Sequence, residues 1–212
     1  MELANAGADV RLTFINQSND QDNSDVVIFQ KNVASGQQAS AVAWLVIQNC
    51  GRGDSHPFIY PAAMQVGAND SWGNFTPLLD AAPGQAFAVT NTASFDQLVP
   101  DGPATSPTEV QVRNALPEGA IGAGIYRDGR QLAHETSVAP GQMAAFAFDP
   151  TIWIGAVSQV EQGQVMDAAI VEQINTLLSL FGIASADIVM TGGGSGPDSR
   201  PFAFTMQNVV MA

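Results

Sequence analysis

The sequence predicts a mainly β protein, an antiparallel β-sandwich with one C-terminal α-helix. Three observations lead to this fold class. Short segments rich in β-branched and aromatic residues recur along the chain, and 20 glycines and 12 prolines separate nearly all of them. One longer segment, residues 164–181, has the apolar period of a helix instead. Since 212 residues fit one domain of ordinary size, residues 1–212 are predicted to form a single β-sandwich domain.

Alternation and β-branched composition define the predicted strands. Residues 10–15 (VRLTFI) alternate around apolar positions, and the polar stretch 16–25 that follows is typical of a loop. Residues 26–31 (VVIFQK) predict a second strand, and residues 41–48 (AVAWLVIQ) predict a third that is covered on both faces. Further strands are predicted at 58–60, 62–66, 86–90, 109–113, 123–127, 143–148, 152–157, 188–190 and 201–209.

A weak internal repeat links residues 10–48 with residues 109–148. In both segments two strands are followed by a Gly-Gln turn and a further strand. The turns are Ser35-Gly36-Gln37 and Pro140-Gly141-Gln142, and Pro83-Gly84-Gln85 is a third. Because proline fixes φ and glycine accepts a positive φ, each Pro-Gly-Gln turn should launch a strand. The repeat is compatible with a duplication and equally with the turns that any β-sandwich needs.

Residues 164–181 (QVMDAAIVEQINTLLSLF) are predicted to form the helix. Asp167 lies near its start, where the helix dipole favours a carboxylate, and Gly182 follows its last periodic residue. We therefore expect Ile174 and Leu177 to be buried against a sheet. The apolar positions at helical spacing are Met166, Ile170, Ile174, Leu177 and Phe181.

Composition narrows the classes of partner. Twenty acids face seven bases, so the net charge of −13 disfavours nucleic acid and anionic membrane surfaces as partners. No apolar run reaches the roughly 20 residues of a membrane helix, and residues 1–10 lack a signal peptide's basic and apolar regions. The expected location is therefore cytoplasmic by default, or outside the cell by a non-classical export route. Cys50 is the only cysteine, which excludes an internal disulfide.

The catalytic inventory is small, with two histidines, one cysteine and one lysine. Gly53-Asp54-Ser55 resembles the nucleophile block of the esterases named after a Gly-Asp-Ser-Leu motif, which implies a histidine base with an aspartate three residues before it. His134 is the histidine outside the segment, and position 131 is glutamine. We therefore expect no enzymatic activity and no cofactor.

Gly51-Arg52-Gly53-Asp54-Ser55 resembles the integrin-recognition peptide of adhesive matrix proteins. The resemblance implies an arginine and an aspartate that are presented on a loop, one to a carboxylate and the other to a metal ion. The two glycines are also typical of a tight structural turn, and we favour that interpretation. Residues 192–197 (GGGSGP) indicate a second, flexible and exposed glycine-rich loop.

Two segments are candidates for ligand binding. Asp20, Asp22 and Asp25 crowd one polar loop, where carboxylates and carbonyls could hold calcium, although a merely hydrated loop has the same composition. Trp72 lies between Asp70 and Asn74 in a polar, glycine-containing segment. An exposed tryptophan beside such groups is how carbohydrate modules stack sugar rings, whereas a buried one would close an end of the sandwich.

The sequence favours a non-enzymatic structural or self-associating protein that forms a homo-oligomer or larger assembly. Lys31 is the only lysine, so the common guard against pairing of edge strands is nearly absent. Salt should promote the assembly, because it screens the long-range repulsion of the net charge. The alternative is a module that binds a small carbohydrate or calcium.

Overall fold

The computed structural model describes residues 8–21, 24–34, 41–92, 95–174, 176–195, 197 and 199–212. These residues confirm the mainly β class, with four-stranded sheets, antiparallel for the most part, and one short helix. The chain divides into two compact units, and the single domain over residues 1–212 stays a prediction. The first unit comprises Met1–Gln30, Val42–Ala62 and Pro150–Ala212, and the second comprises Lys31–Ala41 and Ala63–Asp149.

The first unit contains two four-stranded sheets. The β1 sheet has the order β18-β17-β1-β5, and the β2 sheet has the order β16-β14-β2-β4. Two short strands, β3 and β15, pair separately, and helix α1 precedes β16. The bounds are β1 Val10–Asn16, β2 Asp25–Phe29, β3 Ala41–Val42, β4 Leu45–Ile47, β5 Ser55–Tyr60, β14 Thr151–Val157, β15 Val165–Met166, α1 Ala168–Gln173, β16 Thr176–Ser179, β17 Ile183–Gly193 and β18 Arg200–Met211.

The second unit also contains two four-stranded sheets. The β10 sheet has the order β13-β10-β8-β9, and the β11 sheet has the order β12-β11-β6-β7. The bounds are β6 Met64–Asn69, β7 Leu79–Ala81, β8 Gln85–Asn91, β9 Asp96–Pro103, β10 Val110–Asn114, β11 Ile121–Arg127, β12 Arg130–Val138 and β13 Met143–Phe146.

The two units have the same topology. Strands β10, β11, β12 and β13 take the places of β1, β2, β4 and β5, while β6, β7, β8 and β9 take those of β14, β16, β17 and β18. Strand directions agree throughout, including a parallel central pair in each case, β1 with β17 and β10 with β8. Each unit therefore combines one four-strand segment from each half of the chain.

This equivalence differs in detail from the predicted repeat of 10–48 with 109–148. The sequence matched residues 41–47 with 143–148, whereas the topology makes β4 equivalent to β12 and β5 equivalent to β13. It also extends the match to the remaining eight strands. The shared topology supports a duplication, which itself stays a prediction.

Each central strand buries a regular set of apolar side chains. Val10, Leu12 and Phe14 of β1 are buried, and their neighbours on the other face are partly or fully exposed. Strand β2 is buried from Val26 to Phe29, because it lies between β14 and β4 within its sheet and is covered on both faces. Burial on this scale supplies the main favourable free energy of folding.

The predicted turns Pro83-Gly84-Gln85 and Pro140-Gly141-Gln142 share one geometry with two further turns, whereas Ser35-Gly36-Gln37 lies outside the described residues. In each, the fourth residue's N–H donates to the first residue's carbonyl at 2.9–3.2 Å, and its side-chain oxygen accepts from the first residue's N–H at 2.9–3.3 Å. The third residue is a glycine with φ between 79° and 90°, a backbone conformation that residues with a Cβ rarely adopt. A strand follows each turn, as predicted for the two Pro-Gly-Gln turns. The turns are Gly51–Asp54, Ala82–Gln85, Ala139–Gln142 and Glu161–Gln164.

A buried asparagine ends the central strand of each unit. Asn114 is fully buried, and its Nδ2 donates to the carbonyls of Gly119 and Val138, both at 2.8 Å. Its Oδ1 accepts from the N–H of Leu116 at 3.0 Å. Asn16 has the equivalent role in the first unit, with Oδ1 accepting from the residue two positions on and Nδ2 donating to a carbonyl.

The predicted helix 164–181 is wrong in extent. Within the described residues of this segment only Ala168–Gln173 is helical, and its N-cap is Asp167, whose side chain accepts from the N–H of Ile170 at 2.9 Å. From Thr176 the chain is extended, because β16 completes the β2 sheet by pairing with β14. Its burial accordingly alternates: Leu178 is buried and Leu177 is half exposed. Tertiary pairing has overridden the helical period.

The predicted strand 41–48 is interrupted. It forms β3 and β4, and Ala43 between them bonds instead through its backbone to Gly163 and Gln164. The adjacent Trp44 is buried, with its ring edge-on to Tyr60 at a centroid distance of 5.3 Å. The expected burial is therefore present, but the continuous ladder is not.

Ile174 and Leu177 provide a matched test of this corrected segment. Ile174 is buried against the backbone of Gly155, so Ile174→Ala should lower the free energy of unfolding by about 2–4 kcal/mol. Leu177→Ala should have a much smaller effect, because half of that side chain is already in solvent. Urea denaturation of both variants measures the difference. Equal losses would contradict the strand assignment.

Asn114→Ala should lower the free energy of unfolding by about 3 kcal/mol, because it leaves the carbonyl of Val138 and the N–H of Leu116 buried without their bonds and also removes the bond to the carbonyl of Gly119. Asn91→Ala removes only one exposed side-chain pair and serves as the control. A loss below about 1 kcal/mol for Asn114→Ala in urea denaturation would show that the buried amide is not essential.

Candidate functional site

The loop between β6 and β7 is organised by Asp70. Its Oδ1 accepts from the N–H groups of Trp72 at 2.8 Å and Asn74 at 2.9 Å, and its Oδ2 accepts from Asn74 Nδ2 at 2.7 Å. The side-chain bond from Asn74 is the main cause that holds the pKa of Asp70 below its usual value. The ionised carboxylate therefore fixes the loop.

Trp72 projects from the tip of this loop and is 88% exposed. The alternative in which it closes an end of the sandwich is wrong. Asp70 and Asn74 line a groove beside the loop, and Trp72 lies outside that lining. The structure therefore brings two of the three predicted residues together in a concave site, with the tryptophan next to it.

The groove has a volume of about 830 Å³ and lies wholly within the second unit. One wall is the β6–β7 loop, and the other is the end of the β8–β9 hairpin. Two exposed rings line it, Phe75 at 72% and Phe95 at 63%. Asn91 and Asp96 line it as well, with Asn91 Nδ2 donating to Asp96 Oδ1 at 2.6 Å.

Sequence reasoning missed the hairpin wall. Strand β9 has proline and glycine at its distal end and was not predicted, so Phe95 and Asp96 had no assigned place. The available signal was the similar composition of segments 72–75 and 91–96, which both combine an aromatic residue with polar ones. The sequence does not show that β6 and β8, which belong to different sheets, bring these segments to one groove.

His134, on β12, lies beside the end of β6, next to the β6–β7 loop. Its Nε2 is 3.3 Å from Asn69 Oδ1, and Asn69 Nδ2 donates to the carbonyl of Asp70 at 3.1 Å. Burial lowers the pKa of His134, and the charge of Glu135 opposes that shift in part. Ser55, the other member of the hydrolase hypothesis, lies on β5 in the first unit.

The acidic loop lies in the first unit. Asp20 Oδ2 accepts from the N–H of Ser24 at 2.6 Å, and Asp25 begins β2. Asp22 lies outside the described residues. Within the described ranges, no group of three or more His, Cys, Asp and Glu side chains could hold a metal ion. Calcium binding by Asp20, Asp22 and Asp25 stays a prediction.

The predicted exposed loop 192–197 is only partly present: Gly192 and Gly193 belong to β17 and pack closely, Ser195 and Pro197 are exposed, and Gly196 lies outside the described residues. A Cβ on Gly192 would lie 2.1 Å from the carbonyl oxygen of Pro201, and one on Gly193 would lie 2.6 Å from the Phe202 ring. The N–H of Asn19 donates to the carbonyl of Gly192 at 2.7 Å. Glycine is required here by close approach and by positive φ.

The Arg-Gly-Asp segment is one of the four recurring turns. Asp54 Oδ2 accepts from the N–H of Gly51 at 3.0 Å, and Arg52 Nη1 donates to Asn19 Oδ1 at 2.8 Å. Gly53 has a φ of 90° and donates to the carbonyl of Asn16. Both charged side chains are engaged within the chain, which supports the interpretation as a structural turn.

A second feature of functional interest is the edge of the β1 sheet. Strand β18 has twelve residues, pairs with β17 and is last in its sheet within the described part of the chain. It carries one charged side chain, Arg200, and its final residues Val209, Val210 and Met211 are 44%, 55% and 63% exposed.

No helix in the ranges that the structure describes has the length and apolarity to cross a membrane.

Comparisons with known proteins place the chain in a family. No curated protein and no solved structure matches the chain. The model of one family, described as RhiA, matches residues 7–181, which is most of the sequence. The chain belongs to the RhiA family.

Proposed function

We propose that this protein is a non-enzymatic structural protein that self-associates through the edge formed by β18. The observation that carries the proposal is the composition of this strand. From Pro201 to Met211 it contains no charged residue, and most of its residues are apolar or aromatic (PFAFTMQNVVM). An uncharged, exposed edge strand is a template for pairing with another chain.

The straight part of β18 is long enough to pair. Residues 203–207 are in unbroken antiparallel register with residues 187–191 of β17. Beyond them Asn208 has a φ of 49°, and the register shifts before Val210. The backbone groups of 203–207 that point away from β17 are therefore the ones available to a second copy.

A second copy is the partner that the chemistry favours. The same strand in two copies can pair antiparallel about a two-fold axis, so each contact occurs twice and the assembly closes. The strand offers no charge pattern that would select a different protein. Net charge −13 opposes the approach of two copies, and physiological salt screens this beyond about 8 Å.

Thr205→Lys places a lysine on the exposed face of the edge strand and should abolish association. Light scattering across a range of protein concentrations, at low and at physiological salt, measures the mass. The unmodified protein should exceed the mass of one chain, more so at the higher salt. The Thr205→Lys variant should remain at the mass of one chain.

Thr191→Lys is the matched control, because it makes the same substitution at an exposed position on β17, which is not an edge strand. It should associate like the unmodified protein. The proposal fails if the unmodified protein has the mass of one chain under all conditions, or if the two lysine variants behave alike.

A further inference from the structure

We infer that the groove between the β6–β7 loop and the β8–β9 hairpin binds a neutral saccharide, with sugar rings against Phe75 and Phe95. This inference is independent of the proposed self-association, because the groove lies in the second unit and β18 in the first. It rests on ring exposure, backbone rigidity, polar pairing and charge.

The two exposed rings are held on fixed backbone. Phe75 forms a bridge with Asn69, and the next residue, Thr76, is bonded to Ala68 through both its N–H and its side-chain oxygen. Phe95 exchanges hydrogen bonds with Thr92, including Thr92 Oγ1 to the Phe95 carbonyl at 2.7 Å. Rings presented in this way lose little entropy when a ligand stacks on them.

Planar polar groups accompany the rings. Asn91 and Asp96 form one amide–carboxylate pair, and Asn74 with Asp70 forms another. Asp96 Oδ2 makes no hydrogen bond within the described residues, so it can accept from a hydroxyl. Apolar faces next to a few convergent polar groups are typical of ligand pockets, and a pyranose has both an apolar face and a rim of hydroxyls.

Charge and size define the ligand class. The groove's described lining carries two carboxylates and no lysine, arginine or histidine, so phosphates and acidic sugars are disfavoured. Its volume of about 830 Å³ lies within the usual range for small-molecule sites and accommodates more than one sugar ring. A neutral oligosaccharide meets both conditions.

Saturation-transfer NMR with four neutral trisaccharides, cellotriose, maltotriose, laminaritriose and chitotriose, tests the inference at millimolar concentration. At least one should receive saturation through its ring protons. Phe75→Ala and Phe95→Ala should each weaken its binding by about tenfold, since each removes one stacking ring. Phe181→Ala is the matched control, because this equally exposed ring lies in the first unit and its loss should change nothing.

Three results would overturn the inference. The first is no saturation transfer to any of the four sugars. The second is equal weakening by Phe181→Ala and Phe75→Ala. The third is a loss of binding on addition of EDTA, which would show that a calcium ion and not the rings holds the sugar.

Discussion

The structure depends on one buried amide in each unit. Asn114 and Asn16 end the strands that lie at the centre of their sheets, where the chain must turn away without leaving backbone groups unpaired in the interior. Each side-chain amide satisfies one backbone N–H and at least one backbone carbonyl. The backbone carbonyl of each asparagine also accepts from the N–H of a turn glycine, Gly53 for Asn16 and Gly141 for Asn114. The loops that these two asparagines contact are therefore held by hydrogen bonds that are strong because they are buried.

This constraint operates in a chain whose halves exchange segments. The β1 and β2 strands find their sheet partners in β17 and β14, more than a hundred residues away, and the second unit is built from β6 to β13 between them. Neither half of the chain can complete its sheets alone. The parallel pairing of β1 with β17 agrees with this arrangement, because strands so far apart in sequence need no tight hairpin between them. The parallel strands β8 and β10 of the second unit are closer in sequence, and β9 lies between them along the chain.

Local chemistry was predictable from the sequence, and long-range pairing was not. The alternation at residues 10–15, the Pro-Gly-Gln turns and the place of Asp167 at the start of a helix depend on neighbours in sequence, and the structure contains all three. The predicted helix was wrong beyond Gln173 because Leu177 and Leu178 fit both a helical and a strand period. Pairing with β14 selects the strand, and the sequence does not show that pairing. The candidate site was half predicted: Asp70 and Asn74 lie in the groove, but its second wall comes from an unpredicted hairpin.

The proposed self-association pairs β18 with a second copy of the chain. Hydrogen exchange, followed segment by segment at low and high protein concentration in physiological salt, tests it most directly. Exchange within Arg200–Met211 should slow as concentration rises, while exchange within Ser55–Tyr60, the opposite edge of the same sheet, stays constant. Exchange in β18 that does not change with protein concentration would contradict the claim.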